Sequence, residues 1–296
     1  MQYYNMYLVN AFTNSAFNGN ATGVIISANK MNYETMQNTA KDLNQSVSVF
    51  VNRLDIGLYS TKFFTAKREI KLCGHATIAT FFALAENEYI QPKENGILKI
   101  MQHTQLGKIP VEIEYFNSKV KNVYMNLNVQ ALDSEITDDE ILKGLNINKE
   151  DLGLNGAYIG PKKISTGGHD IVIPVQSVEV LEKIKLEYDY MQKLSEKDDI
   201  ISFQIFTIEE LGEVTKVRQR TFSPSICVEE EAGSGTSTGA TLYYINKYVS
   251  NKTEKIESTQ GVEMGRTSCL SANMTSENTV RVGGRAFVFM NGVLNI

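Results

Sequence analysis

The chain has no tryptophan, only five prolines and only three cysteines in 296 residues. Cys73, Cys227 and Cys269 are widely spaced and form no CxxC pair, so zinc-ribbon and dithiol redox chemistry have no ligands here. An odd, scattered set reads as reduced thiols. Long apolar runs are also missing: nothing approaches the ~18 residues of a membrane span. The opening MQYYNMYLVNAF lacks the cationic start of a secretory signal. Positive charge is scarce and dispersed, with 29 Lys and Arg against 34 Asp and Glu and a formal net charge of -5. That leaves no electrostatic footprint for nucleic acid or an anionic membrane. P-loop, GxGxxG and GxSxG signatures are absent. What survives is a cytoplasmic globular protein whose partner is a small molecule.

With 42% apolar residues the chain can build a sizeable core, and 296 residues exceed the usual single-core size, so two domains are expected. The first 125 residues alternate strand and helix signals. Residues 3–12 and 19–27 are β-rich, Asn32 is placed to cap a helix over 33–43, and strands follow at 46–52 and 58–66. A helix at 76–87 precedes strands at 97–103, 109–116 and 120–128. Residues 129–149 are polar and acidic, and a boundary is expected near 118–132. The order then repeats: strand signals at 157–168 and 170–175, helical spacing over 179–195, and an alternating strand at 201–208.

The closest repetition concerns two loops. Phe64-Thr65-Ala66 is followed, after six residues, by Cys73-Gly74-His75-Ala76-Thr77 and the apolar run IATFFAL. Phe222-Ser223-Pro224 is followed, after nine, by Ser234-Gly235-Thr236-Ser237-Thr238, Gly239 and ATLYYI. Cys73 and Ser234 therefore occupy equivalent places in a repeat of about 150 residues, which implies two similar lobes with a cleft between them. Each copy sets a small nucleophile-type residue and a glycine where a strand gives way to a helix. Helix starts present N–H groups and partial positive charge, a fit for a carboxylate or a developing enolate.

A proton-moving site also needs a base. His75 has a suitable intrinsic pKa, and Cys73 at a helix start has its thiolate favoured. Glu231, beside Glu229 and Glu230, would hold a proton near neutrality only if burial raised its pKa. Bland readings stand beside these: Cys73 as a small buried hydrophobe, His75 as a structural hydrogen-bonder, and the three glutamates as a solvated loop. His169 follows Gly167 and Gly168, which either permit close backbone approach to a ligand or make a plain turn. His103 lies in a strand without partners. No set of residues has metal-ligand spacing.

Six stretches, VNAFTNSAFNGNATGVII, AKDLNQSVSVFV, KFFTAKREIKLCGHATIA, STGGHDIVIPV, QGVEMGRTS and VRVGGRAFVFMNGVL, run in order from residue 9 to 294. Together they resemble the phenazine-biosynthesis PhzF-like isomerase family. The resemblance implies the diaminopimelate-epimerase-like α+β fold: two pseudo-symmetric lobes, each a curled, mostly antiparallel sheet around a central helix. One lobe would span 1–125, with 282–296 returning to it; the other would span 126–281, with the active site in the cleft. It further implies a homodimer that shifts a proton on a small carboxylic or amino-acid substrate without metal or organic cofactor.

The family's catalytic histidine falls on His75, and its acidic motif places Glu231 where an aspartate is usual. Its shuttle glutamate falls on Val47, which cannot carry a proton. Loss of a general base typically costs ~10²–10⁴-fold. The implied substrate contacts are Asn20, Ser46, Gly74, Ala76, Gly167, Ser234, Gly235 and Thr236. Three readings follow: an isomerase in which His75, Glu231 and Cys73 share proton transfer; a catalytically silent carboxylate-binding relative; and a thiol-dependent epimerase in which Cys73 faces the poor base Ser234.

Overall fold

The computed structural model describes all 296 residues. The chain divides into two compact units, one of Met1–Met125 with Gly283–Ile296 and one of Asn126–Val282. No helix is long and apolar enough to cross a membrane.

The first unit comprises β1 (Tyr3–Ala11), β2 (Asn20–Ile26), α1 (Tyr33–Leu43), β3 (Val47–Asp55), β4 (Leu58–Phe64), β5 (Glu69–Ile70), α2 (Gly74–Glu86), β6 (Gly96–Thr104), β7 (Gly107–Phe116) and β8 (Lys119–Asn128). The chain's last strand, Ala286–Asn295, pairs with β1. From there the sheet runs through β1, β2, β3, β4, β6, β7 and β8. Only two neighbours are parallel, β2 with β3 and β4 with β6. These are the two steps that contain a helix, as parallel strands require a crossover. β5 folds back on β4.

The sequence explains both helices. Asn32 Oδ1 accepts from Thr35 N at 2.8 Å at the start of α1, and Asn44 ends that helix in the left-handed region. α2 is buried on every face from His75 to Ala85, its two threonines bonding to Gln102 and to the Ala76 carbonyl. It touches β1, β2, β3, β7 and the last strand, so the sheet curls around it.

The second unit contains β9 (Gln130–Leu132), α3 (Asp138–Leu145), β10 (Lys162–Ser165), β11 (His169–Pro174), α4 (Val178–Lys183), α5 (Tyr188–Lys197), β12 (Ser202–Glu210), β13 (Thr215–Ser223), β14 (Val228–Glu231), α6 (Gly235–Tyr248), β15 (Lys255–Gln260), β16 (Ser268–Ser276) and β17 (Thr279–Gly284). The last strand is thus β18. This sheet runs β9, β10, β11, β12, β13, β15, β16. Its parallel steps, β11 with β12 and β13 with β15, again bracket helices, and β14 folds back on β13. α6 is buried from Ser237 to Ile245 and touches β10, β11, β12, β15 and β16. A Cβ at Gly239 would meet Val280 Cγ2 at 2.9 Å, so glycine lets this helix lie close to β17.

The expected α+β class, with a mostly antiparallel sheet curled around a central helix in each unit, is what the structure has. Local expectations need three corrections. Residues 157–168 are not one strand: only Lys162–Ser165 joins the sheet, while Ala157 bridges back to Leu154 across a turn in which Asn155 and Gly156 have positive φ. The helical spacing over 179–195 is broken into α4 and α5. The interruption lets Lys185 N and Glu187 N bond to Leu145 O and Gly144 O at the end of α3. The three glutamates are not a loop but the short strand β14: Glu229 is exposed as expected, while Glu230 pairs with the buried Arg220 and Glu231 is half-buried.

Candidate active site

In the first unit the chemistry gathers at the start of α2. Gly74, His75 and Ala76 precede the first intrahelical bond, Thr77 N to Cys73 O, so their N–H groups belong to the first turn. No side chain caps this end at Cys73. His75 is 8% exposed. Its Nδ1 lies 3.2 Å from Asn20 Nδ2 and 3.3 Å from Cys73 Sγ, and its Nε2 lies 3.2 Å from Ser46 Oγ. An amide nitrogen can only donate, so Nδ1 accepts and the proton of the neutral ring sits on Nε2. That hydrogen points to Ser46 Oγ, which donates in turn to Ala21 O at 2.6 Å. Burial pushes the His75 pKa down to about 4. At neutral pH the imidazole is uncharged.

Val47 is 4% exposed and lies in an apolar group with Val49, Phe63 and Ala76, against which Ile70, Leu72 and Cys73 pack. Position 47 is therefore apolar ground beside the start of α2. Ala76 is fully buried, so its methyl meets core and only its N–H lies at the helix start.

In the second unit two carboxyls are held at the strand ends. Ser223 Oγ donates to Glu231 Oε1 at 2.8 Å, and Gln260 Nε2 donates to Glu231 O at 2.8 Å. Burial pushes the Glu231 pKa up to about 7; the Ser223 bond opposes this and the charge of Asp170 adds to it. Asp170 is 3% exposed and accepts from Ser202 Oγ. Burial raises it to about 6 against the Ser202 and Ser237 hydroxyls and His169, which lower it. Glu230 is committed to a bidentate pair with Arg220, whose Nε and Nη2 lie 2.9 Å from its oxygens, so it is no free base.

Ser234 caps α6 through Ser237 N, and its Oγ lies 3.2 Å from Thr236 Oγ1 and 3.0 Å from Ser237 Oγ. Ser234 N donates to Gln260 Oε1 at 3.0 Å. Thr236 is the partly exposed member of this start; Ser234, Gly235 and Ser237 are buried. Gly167 has φ +106° with open space where a Cβ would stand, so its backbone, not its packing, requires glycine. His169 Nδ1 bonds to Asp199 O at 3.0 Å. No three His, Cys, Asp or Glu side chains converge on a metal-binding arrangement.

The structure thus joins Asn20, Ser46, Cys73 and His75 in one cluster, and Glu231 with the Ser234–Thr236 loop in another. Sequence reasoning passed over Asp170, Ser202, Ser223 and Ser237. A signal existed for Asp170, an acid at the head of the apolar strand IVIPV.

Residues 9–292 match the family model described as phenazine biosynthesis-like protein. An uncharacterized isomerase of Clostridium acetobutylicum is 27% identical, with 98% of each chain covered. A trans-2,3-dihydro-3-hydroxyanthranilate isomerase of Pseudomonas chlororaphis is 25% identical over 97% of this chain and 98% of its own. The crystal structure of a Bacillus anthracis phenazine biosynthesis protein of the PhzF family superposes with a TM-score of 0.86 at 23% identity, covering 100% of both chains.

Proposed function

The chain belongs to the phenazine biosynthesis-like protein family, whose relatives are named isomerases, and from that premise we propose that it shifts a proton on a small carboxylic or amino-acid substrate. In this reading Glu231 holds the travelling proton. The observation that carries it is a half-buried carboxyl bonded by one serine hydroxyl, Ser223 Oγ at 2.8 Å, in surroundings that push its pKa up to about 7. A general acid or base works best with a pKa near the working pH. His75, neutral and oriented by Asn20 and Ser46, accepts a hydrogen bond or a proton at Nδ1 and shares that site with the Cys73 thiol. In each unit the first-turn N–H groups, of Gly74, His75 and Ala76 in one and of Gly235 and Thr236 in the other, supply partial positive charge that suits a carboxylate or an enolate. The reading takes the reaction to need no metal or organic cofactor and the protein to act as a cytoplasmic homodimer.

Uptake of solvent deuterium by trans-2,3-dihydro-3-hydroxyanthranilate, by other cyclic dienoic acids and by a panel of amino acids tests this reading. Exchange at a carbon-bound position of at least one compound is expected. A folded sample that exchanges none contradicts it. Val47 favours a second reading, a carboxylate-binding protein without turnover, because the position of the family's glutamate is filled by a buried apolar side chain. There carboxylates raise the melting temperature while no deuterium enters them.

A further inference from the structure

Behind the start of α6 the hydroxyls do not stop at the cap. Thr236 Oγ1 lies 3.2 Å from Ser234 Oγ, Ser234 Oγ donates to Ser237 Oγ at 3.0 Å, and Ser237 Oγ lies 3.3 Å from Ser202 Oγ. Ser202 Oγ donates to Asp170 Oδ1. Each hydroxyl has one hydrogen, so the two bonds of fixed direction orient the rest: Thr236 donates to Ser234 and Ser237 donates to Ser202. The result is a one-way chain of four hydroxyls from the partly exposed Thr236 to a carboxyl that is 3% exposed. Asp170 Oδ2 is buried with no hydrogen-bonding partner. A buried carboxylate left half satisfied is costly for stability alone, as is a row of buried serines.

We propose that Asp170 is a second proton-holding group of this site, a positioning residue that receives a proton through the Thr236–Ser234–Ser237–Ser202 chain. The inference rests on the isomerase reading and deepens it. A proton shift needs one carbon deprotonated and another protonated. With Glu231 at one position, the chain supplies the other.

In the relay, a proton accepted at Thr236 Oγ1 displaces that hydroxyl's own proton to Ser234, Ser234 passes its proton to Ser237, Ser237 to Ser202, and Ser202 to Asp170. One O–H bond forms and one breaks at each oxygen. One proton moves inward, no electrons are transferred, and the return step reverses every bond. The groups bearing on Asp170 are Glu231 on β14 and His169 beside it on β11; the Glu231 carboxylate resists a second negative charge and His169 favours one. The two acids therefore titrate as a pair.

Infrared difference spectra of the full chain through pH, reading the carbonyl band of protonated buried carboxyls, test the proposal whether or not a substrate is known. Asp170→Asn is expected to remove one band and move the midpoint of the Glu231 band downward. Ser237→Ala, which keeps both acids, is expected to shift the Asp170 band in frequency and raise its midpoint, since Ser202 loses the hydroxyl that donates to it and then serves the ionised Asp170 less well. With a substrate that exchanges deuterium, Ser237→Ala and Ser202→Ala are each expected to lower kcat by at least ~10-fold with KM little changed. An Asp170 band that neither serine variant moves, or a Glu231 midpoint indifferent to Asp170→Asn, overturns the proposal. So does an unchanged kcat in both serine variants. Absence of exchange in the wild type contradicts the isomerase reading instead, and the spectra still decide this one.

Discussion

The two units repeat each other strand for strand, yet they differ at the positions that carry charge. When Phe64 is matched with Phe222, the registers Ser48↔Phe64 and Phe203↔Phe222 make Val47 the counterpart of Ser202. Thr22↔Val47 and Asp170↔Ser202 then make Thr22 the counterpart of Asp170. Phe63↔Ile70 and Thr221↔Glu231 do the same for Ile70 and Glu231. One unit thus places threonine, valine and isoleucine where the other places aspartate, serine and glutamate. At the helix starts the imbalance reverses, with Cys73 and His75 facing Ser234 and Thr236 in sequence. The lesson is a division of labour within one topology. The first unit keeps a neutral imidazole, and the second keeps the acids.

The largest expected effect comes from removing the acid the first unit lacks. Glu231→Gln preserves shape and the Ser223 bond but cannot carry a proton, so turnover of any substrate found is expected to fall ~10²–10⁴-fold with the fold intact. His75→Asn is expected to cost less, roughly 10–100-fold, because a hydrogen-bonding group remains; steady-state kinetics on both variants rank the two units.

Val47→Glu tests the comparison from the other side. A carboxylate at a 4%-exposed position among Val49, Phe63 and Ala76 is expected to destabilise the protein by about 2–4 kcal/mol above pH 7, less in acid where it is neutral. Urea titration at two pH values checks this. If the variant gains deuterium exchange that the wild type lacks, the silent-binder reading holds.

The two units are also expected to answer acid in opposite directions. Glu231 titrates at about 7 in the fold against ~4.3 when unfolded. Its contribution is full below ~4.3 and is lost as pH rises through about 7. His75 titrates at about 4 against ~6.5. Its contribution is full above ~6.5 and is lost as pH falls towards 4. Each swing is on the order of 3 kcal/mol at its limit. Relative to wild type, Glu231→Gln is expected to make stability rise more steeply with pH between 4.5 and 6.5, and His75→Asn to make it rise less. Parallel slopes in the two variants contradict the contrast. The smallest effect is expected for Cys73→Ser, within about a few-fold in turnover, because Asn20 and Ser46 still fix the His75 ring.

Most of the architecture was legible because period and repeat report it directly. The all-apolar run after Cys73 reads as an enclosed helix, and the second copy after Ser234 reads as its partner. His75 and Glu231 were visible as residue types that titrate. What stayed hidden depends on contacts made far apart in sequence. Asp170 meets Ser202 across 32 residues and Ser202 meets Ser237 across 35, so no window shows the hydroxyl chain. The contacts that commit Glu230 to Arg220 and Glu231 to Ser223 arise from strand pairing of β14 with β13. The break between α4 and α5 was equally invisible, since it answers backbone groups at the end of α3 rather than any local breaker.

The contrast between the units is tested most directly by a single NMR titration in which the Glu231 side-chain carboxyl and the His75 imidazole are followed together. The account expects Glu231 to change charge near pH 7 while His75 stays neutral down to about pH 4. A glutamate midpoint near ~4.3 with an imidazole midpoint near ~6.5, the ordinary values of both groups, would contradict it.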